Sequence, residues 1–249
     1  IILVFIYYFI SFVIWYIFKI IEKVRELNKS IELLEKDKMI KESLFKLTHE
    51  IKNPLAVIKG YLDMFNIDNK EKSLKYLNII REEANRSLNI ITDFLEFNKI
   101  KIVKTEIDLN LLLEDVYDSF KIILNRKNIK LIYNDREDEE IYFDGDYERL
   151  KQVLINVLKN SVEAIKDKGK VEISSNIYKR HIDIIIEDDG IGMSEDTLKQ
   201  LKTMFFTTKL NGSGLGVCLS NEIIKAHNGE LIYTSKEGVG TKVTIRLPK

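Results

Sequence analysis

The stretch LTHEIKNPLAVIKGYLDM, Leu47 to Met64, decides how the first half of this chain folds. With its flanks it places Leu44, Leu47, Ile51, Leu55, Ile58, Leu62 and Phe65 at spacings of 3, 4, 4, 3, 4 and 3. That rhythm is a coiled-coil-like helical seam. A polar break, NIDNKEK from Asn66 to Lys72, precedes a second seam of Leu77, Ile80, Ala84, Leu88, Ile91 and Leu95. Two such helices make an antiparallel hairpin. One hairpin cannot cover both stripes, so two copies pairing into a four-helix bundle, a homodimer, are expected.

Upstream, IILVFIYYFISFVIWYIF carries no charge over 18 residues. At about 1.5 Å per residue it spans roughly 27 Å, close to the ~30 Å hydrocarbon core of a bilayer. A membrane helix is the reading, with Tyr7, Tyr8, Trp15 and Tyr16 suited to the interfaces. Lys19, Lys23, Arg25 and Lys29 follow, which puts the remainder in the cytosol. No basic region precedes the run, as a signal peptide requires. The chain opens on Ile1 rather than Met, so sequence upstream of it is expected. From Glu22 to about Asp37 the residues are charged and helix-favouring, a stiff continuation of the same helix. Among all 249 residues Lys+Arg and Asp+Glu balance at 39 each, which argues against a nucleic-acid partner. The single cysteine, Cys218, excludes an intrachain disulfide and reads as core filler.

After about Lys104 helices and strands mix. The patterning predicts helices over Leu109–Ile123 and Tyr147–Lys166, the latter capped by Asp146. It predicts strands over Ile129–Tyr133, Glu140–Phe143, Val171–Asn176 and His181–Glu187, and a terminal hairpin of Glu230–Ser235 and Lys242–Leu247 around Glu237-Gly238. Gly190, Gly192, Gly212, Gly214 and Gly216 are five of the 11 glycines, gathered in 27 residues where the backbone must turn sharply or approach a ligand.

On the first seam helix His49 lies about 200° round from Leu47 and Ile51, facing solvent rather than the seam. Glu50 adjoins it and can hold the proton of one ring nitrogen, leaving the other as a nucleophile. Asn53 follows one turn on, and Pro54 removes a helix hydrogen bond beside them, where a bend is expected. A tolerated kink alone does not explain the polar company. The run resembles the phosphoacceptor box of bacterial sensor histidine kinases, the HExxNP pattern whose histidine is autophosphorylated. The resemblance gives Glu50 the part of base. It gives Asn53 the positioning of a water when the enzyme acts as phosphatase, which leaves room for that activity here.

The downstream motifs have their own chemistry. QVLINVLKNSVEAI, Gln152 to Ile165, sets Asn156 and Asn160 one turn apart on a helix, where amide oxygens can face a hard cation. EDDGIGM, Glu187 to Met193, ends a strand in a carboxylate followed by glycines that admit a flat ring. FFTTKLNGSGLG, Phe205 to Gly216, leads a glycine-rich segment into a helix N-terminus suited to phosphate. Their order resembles the ATP-binding domain shared by histidine kinases and gyrases. The resemblance implies that Asn160, supported by Asn156, holds Mg²⁺ and that Asp188 reads the adenine amine with Gly190 and Gly192 beside the base. It makes Phe205 and Phe206 the lid anchor, Lys209 a phosphate contact, Gly212, Gly214, Leu215 and Gly216 the glycine box, and Thr241 part of the closing Gly-Thr pair. The FFTTK and NSVEA runs look most like nitrogen-regulatory and sporulation kinases.

A rival reading is an ATPase clamp of the same superfamily. Such clamps carry a water-activating glutamate one turn before the metal-binding asparagine, and here that position is Asn156, an amide that cannot act as a base. The expected chain is therefore α+β: a transmembrane helix over 1–21, a helical connector over 22–39, a dimerisation and phosphoacceptor hairpin over 40–103, and an α/β sandwich ATP domain over 104–249. The resemblance implies ATP and Mg²⁺ as cofactors, a cell-membrane location with the catalytic part cytoplasmic, and a response-regulator receiver domain as partner. No receiver sequence follows Lys249, so the acceptor aspartate is expected on a separate protein.

Overall fold

The computed structural model describes residues 2–65, 69–125, 128–134, 140–209 and 212–249. It divides into two compact units, Ile1–Glu50 and Ile51–Lys249. The boundary falls inside α1 (Ile2–Asp63), one helix of 62 residues interrupted by no proline before Pro54. The apolar start and the charged connector are thus one helix, as the sequence suggested.

In the first unit Lys19 Nζ stands 5.1 Å from the centre of the Trp15 ring. Thr48 Oγ1 donates to the Leu44 carbonyl at 2.8 Å. Among the described residues no helix is long and apolar enough to cross a membrane. The side chains of residues 1–6 and 8, within the apolar run, lie outside the described ones.

The second unit begins with the rest of α1 and with α2 (Lys70–Asn98), which together form a helical hairpin in which the Tyr61 and Tyr76 rings meet at 5.1 Å. The expected break at Asn66–Lys72 is shorter than the polar run. Asn69 accepts from the Lys72 amide at 3.2 Å, which draws Lys70, Glu71 and Lys72 into the first turn of α2. Residues 66–68 lie outside the described ones. Leu55, Leu62, Leu77, Leu88 and Leu95 of the seams are exposed.

Beyond the hairpin come β1 (Thr105–Asp108), α3 (Leu109–Asn125), β2 (Ile129–Tyr133), β3 (Tyr142–Gly145), α4 (Tyr147–Ala164), β4 (Gly169–Ile177) and β5 (His181–Asp188). They are followed by α5 (Glu195–Gln200), α6 (Gly216–Ala226), β6 (Glu230–Lys236) and β7 (Gly240–Pro248). A five-stranded sheet of order β2-β4-β5-β7-β6 has one parallel pair, β2 with β4, and is otherwise antiparallel. The alternation along β7 explains its two faces: Val243, Ile245 and Leu247 are buried against the helices, while Lys242 points out. Val153, Leu154, Val157 and Leu158 of α4 and Leu219, Ile223 and Ile224 of α6 supply the helical layer of this two-layer sandwich. On the outer face Arg246 binds Asp183 with two hydrogen bonds, 2.8 and 2.9 Å, and holds that carboxyl below its ordinary range.

The sequence reading missed β1, which pairs with β3 rather than joining the main sheet, and the short α5. It placed β3 at Glu140–Phe143, two residues early; pairing of Thr105 with Gly145 carries the strand onward.

The N-terminus of α4 is fixed by one node. Asp146 caps the helix by accepting from the Arg149 amide at 3.1 Å, and it also accepts from the Val103 amide at 2.9 Å. Its own N–H donates to His227 Nε2 at 2.9 Å, and His227 Nδ1 donates to the Ile223 carbonyl at 2.8 Å. His227 is 1% exposed, so both nitrogens are satisfied only in the neutral ring. The structural role given to this histidine by the sequence holds.

Burial is the main cause that pushes the His227 pKa below its ordinary 6.5. A base whose folded pKa is depressed contributes stability that is complete above the unfolded value and lost as pH falls below it. The thermal midpoint is therefore expected to drop between pH 7.5 and 5, and to drop less in His227→Gln, which is itself destabilised by about 1–3 kcal/mol at pH 7.5. Equal pH slopes in the two proteins would refute the assignment.

Candidate functional site

A cleft of about 870 Å³ opens between α4, α6, the loops after β5 and α5, and one face of α2. Its chemistry is polar at both ends and differs between them.

One end is built on the last residue of β5. Asp188 is 6% exposed and lines the cleft. Its Oδ1 accepts from the Gly190 amide at 3.1 Å and from the Thr241 amide at 3.3 Å, which brings the β5 and β7 ends together. Burial raises its pKa, and hydrogen bonds from Ser161, Gly190 and Thr241 offset part of that rise. The neighbouring Asp189 faces away, accepting from the Lys170 amide at 2.8 Å. Of the two aspartates in the motif, the one singled out by the sequence is the one in the cleft. Gly192 sits here with φ of 63°, and a Cβ on it would lie 2.0 Å from the Lys236 carbonyl oxygen, so no other residue fits. Gly190 packs against Ala164 of α4, outside the cleft lining.

The other end joins α4 to the glycine-rich segment. Asn160 Oδ1 accepts from Lys209 Nζ at 2.6 Å, and the same ammonium pairs with Glu163. Asn156 has a different partner: its Nδ2 donates to Ser220 Oγ at 2.9 Å. The two asparagines share a helix face but do not share a ligand here. Phe205 has a φ of 64° and its N–H donates to the Gly214 carbonyl at 3.0 Å, closing the segment into a loop. Gly214, with φ of 66°, meets that backbone so closely that a Cβ would stand 2.4 Å from the Phe205 carbonyl carbon. Phe206 and Gly212 line the cleft, whereas Phe205 and Leu215 support it from behind. Leu215 is fully buried and begins α6 at Gly216, whose first turn has no side-chain cap. The Leu215 N–H donates to Ser213 Oγ at 3.3 Å, and the first-turn amides that follow are of the kind that anions take. Leu210 and Asn211 lie outside the described residues.

Two buried side-chain atoms have no hydrogen-bond partner among the described residues, Arg86 Nε and Tyr233 Oη, and both belong to residues lining this cleft. Burial also raises the Tyr233 pKa. Sequence reasoning missed both, along with Ser161, Glu163 and Ser220. Only Glu163, three residues beyond Asn160 on the same face, carried a local signal. Cys218 is buried with its Sγ 2.8 Å from the Lys202 carbonyl, in keeping with a packing role.

The proposed phosphoacceptor residues lie on α1. His49 is exposed and meets the Phe45 ring edge-on, with centroids 4.7 Å apart. Asn53 is exposed and Pro54 buried, with the helix continuing through it.

Residues 41–101 match the His Kinase A (phospho-acceptor) domain family, and residues 145–249 match the histidine kinase-, DNA gyrase B- and HSP90-like ATPase family. Sporulation kinase E of Bacillus subtilis is 34% identical over 93% of this chain and 32% of its own length. The chain spans between about a third and three fifths of the first curated relatives it matches. The solved catalytic domain of the histidine kinase ThkA is 30% identical, with 98% of it and 59% of this chain covered at a TM-score of 0.54. ThkA in complex with the response regulator protein TrrA covers 86% of this chain and 63% of that one, at 29% identity and a TM-score of 0.74. With both domain families in this order and these relatives, the chain belongs to the sensor histidine kinases of bacterial two-component systems.

Proposed function

We propose that this chain is the kinase core of a sensor, which binds ATP in the cleft, phosphorylates His49 and passes the phosphoryl group to an aspartate on a separate response regulator. The observation that carries the reading is the cleft's polarity: a buried carboxylate at one end, and at the other uncapped α6 amides with an ammonium beside them. A nucleotide is polar in the same two places. Asp188 accepts from the adenine amine beside Gly190, Gly192 and Thr241. The amides at Gly214 and Gly216, with Phe206, Gly212 and Lys209, receive the phosphates.

Mg²⁺ fits the donor set. Asn160 Oδ1 and the Glu163 carboxylate already converge on one cation, the Lys209 ammonium, and both are hard oxygen donors. Asn160 would hold the ion and Asn156, through Ser220, would keep the helix face in place. Bound there, the ion supplies charge neutralisation for the triphosphate.

In the transfer a His49 nitrogen attacks the γ-phosphorus, the bond to the β-phosphate oxygen breaks, ADP leaves and Glu50 takes the ring proton. Receipt of the phosphoryl group by a receiver aspartate is supported by the solved complex of a similar kinase with its response regulator. Asn53 is suited to orient a water that hydrolyses the partner's aspartyl phosphate, releasing inorganic phosphate. The exposed leucines of the hairpin, Leu55, Leu62, Leu77, Leu88 and Leu95, support a homodimer in which a second copy covers them. The organisation is then a membrane helix over 1–21, a connector over 22–39, the hairpin over 40–103 and the ATP domain over 104–249, anchored in the cell membrane with its catalytic part in the cytoplasm. The uncharged run over residues 1–18 with cations directly after it supports the anchor.

Three outcomes are expected. Incubated with γ-labelled ATP and Mg²⁺, the chain acquires acid-labile, alkali-stable label that His49→Gln lacks; hydrolysis persisting in His49→Gln without covalent label would instead make it an ATPase clamp. Asp188→Asn weakens ATP about 10- to 100-fold in equilibrium titration, the range for losing a hydrogen bond to a charged group. Expressed in bacteria, the chain stays with the membrane pellet after alkaline carbonate extraction, and deletion of residues 1–18 releases it; release of both forms would remove the anchor.

A further inference from the structure

The helical hairpin contributes a wall to the nucleotide cleft. Arg86, Asn89, Ile90 and Asp93 of α2 all line it, and their spacing of 3, 1 and 3 residues is a single stripe along one helix face. Asp93 fixes which end of the cleft the stripe reaches: its Oδ2 accepts from Ser213 Oγ at 2.7 Å, within the glycine-rich segment. The Asp93 end of the wall therefore meets the glycine-rich segment, at the phosphate end of the cleft.

Arg86 lies seven residues before Asp93, almost the same direction round the helix and about 10 Å along its axis. Its Nε is buried and has no partner among the described residues. A guanidinium stays charged at any physiological pH and has five donors to satisfy. Left against a protein wall without an acceptor, such a donor costs stability, unless the cleft takes an anion. Further along the helix Asp93 is engaged with Ser213 and Glu96 with Arg149.

We propose that Arg86 donates to phosphate oxygens of the nucleotide bound in this cleft, so that α2 of the phosphoacceptor hairpin is part of the ATP site. The inference rests on the ATP reading of the cleft. It gives the hairpin a direct hold on nucleotide affinity: movement of α2 that withdraws Arg86 weakens triphosphate binding and leaves the base site intact.

The test uses the whole chain in mild detergent, titrated calorimetrically with ATP and Mg²⁺ and, separately, with adenosine. Arg86→Ala is expected to weaken ATP about tenfold or more while adenosine binds as in the unaltered protein, and Arg86→Lys to recover part of the loss. Unchanged ATP affinity in Arg86→Ala would overturn the proposal. Parallel loss of ATP and adenosine would overturn it too, since it would make Arg86 a support of the fold. If the unaltered chain binds neither ligand, it is the ATP reading itself that fails.

Discussion

The arrangement of the catalytic unit depends on one buried carboxylate. Asp188 closes β5 in a position where an ionised oxygen is costly, and only amide and hydroxyl donors from three separate elements make it tolerable: Ser161 from α4, Gly190 from the loop and Thr241 from β7. Satisfying it therefore aligns the α4 helix, the strand ends and the glycine loop at once. The geometry around it leaves little slack. Gly192 fits only because it has no Cβ to strike the Lys236 carbonyl, and Gly240, with φ of 138°, passes within 2.0 Å of the Asp188 carbonyl measured from where its Cβ would stand. The carboxylate and the glycines around it are one constraint, which explains why they are spread over more than fifty residues of sequence and yet meet.

Much of this was legible in the chain. The seams of the hairpin, the capping aspartate of α4 and most of the strands follow from local periodicity and local hydrogen bonding, so each appears within a window of ten or so residues. The motif residues Asp188, Asn160, Lys209 and Gly216 came out on one cleft because their order is itself informative. What was not legible depends on partners far apart. Asn156 meets Ser220 across 64 residues, Asp146 meets His227 across 81, and Asp93 meets Ser213 across 120. β1 was missed for the same reason, since TEID pairs with β3 some forty residues further on.

The hairpin has a different economy from the catalytic unit. Its leucine seams satisfy helical periodicity yet remain exposed in a single copy, while Phe94 and Ile90 of α2 are buried within it. One face of α2 is thus spent on the same chain, towards the cleft, and another carries the exposed leucines. Were a second copy to cover those leucines, α2 would be committed on both sides, and packed side chains shift as units rather than deforming smoothly.

Residue 156, where the ATPase-clamp reading would require a glutamate, has a structural reason to be an amide. Asn156 donates to Ser220 Oγ, and its Oδ1 lies 2.6 Å from where a Cβ on Gly216 would be, so the side chain is wedged between α4 and the first turn of α6. A glutamate there would need room for one more methylene and would leave Ser220 facing a carboxylate in place of an amide donor. The first turn of α6 comes close to α4 because residue 216 is glycine, and the same approach presents its uncapped amides to the cleft. Under the proposed reading this corner receives phosphate, and the nucleophile comes from outside it, from the exposed His49 on a separate helix.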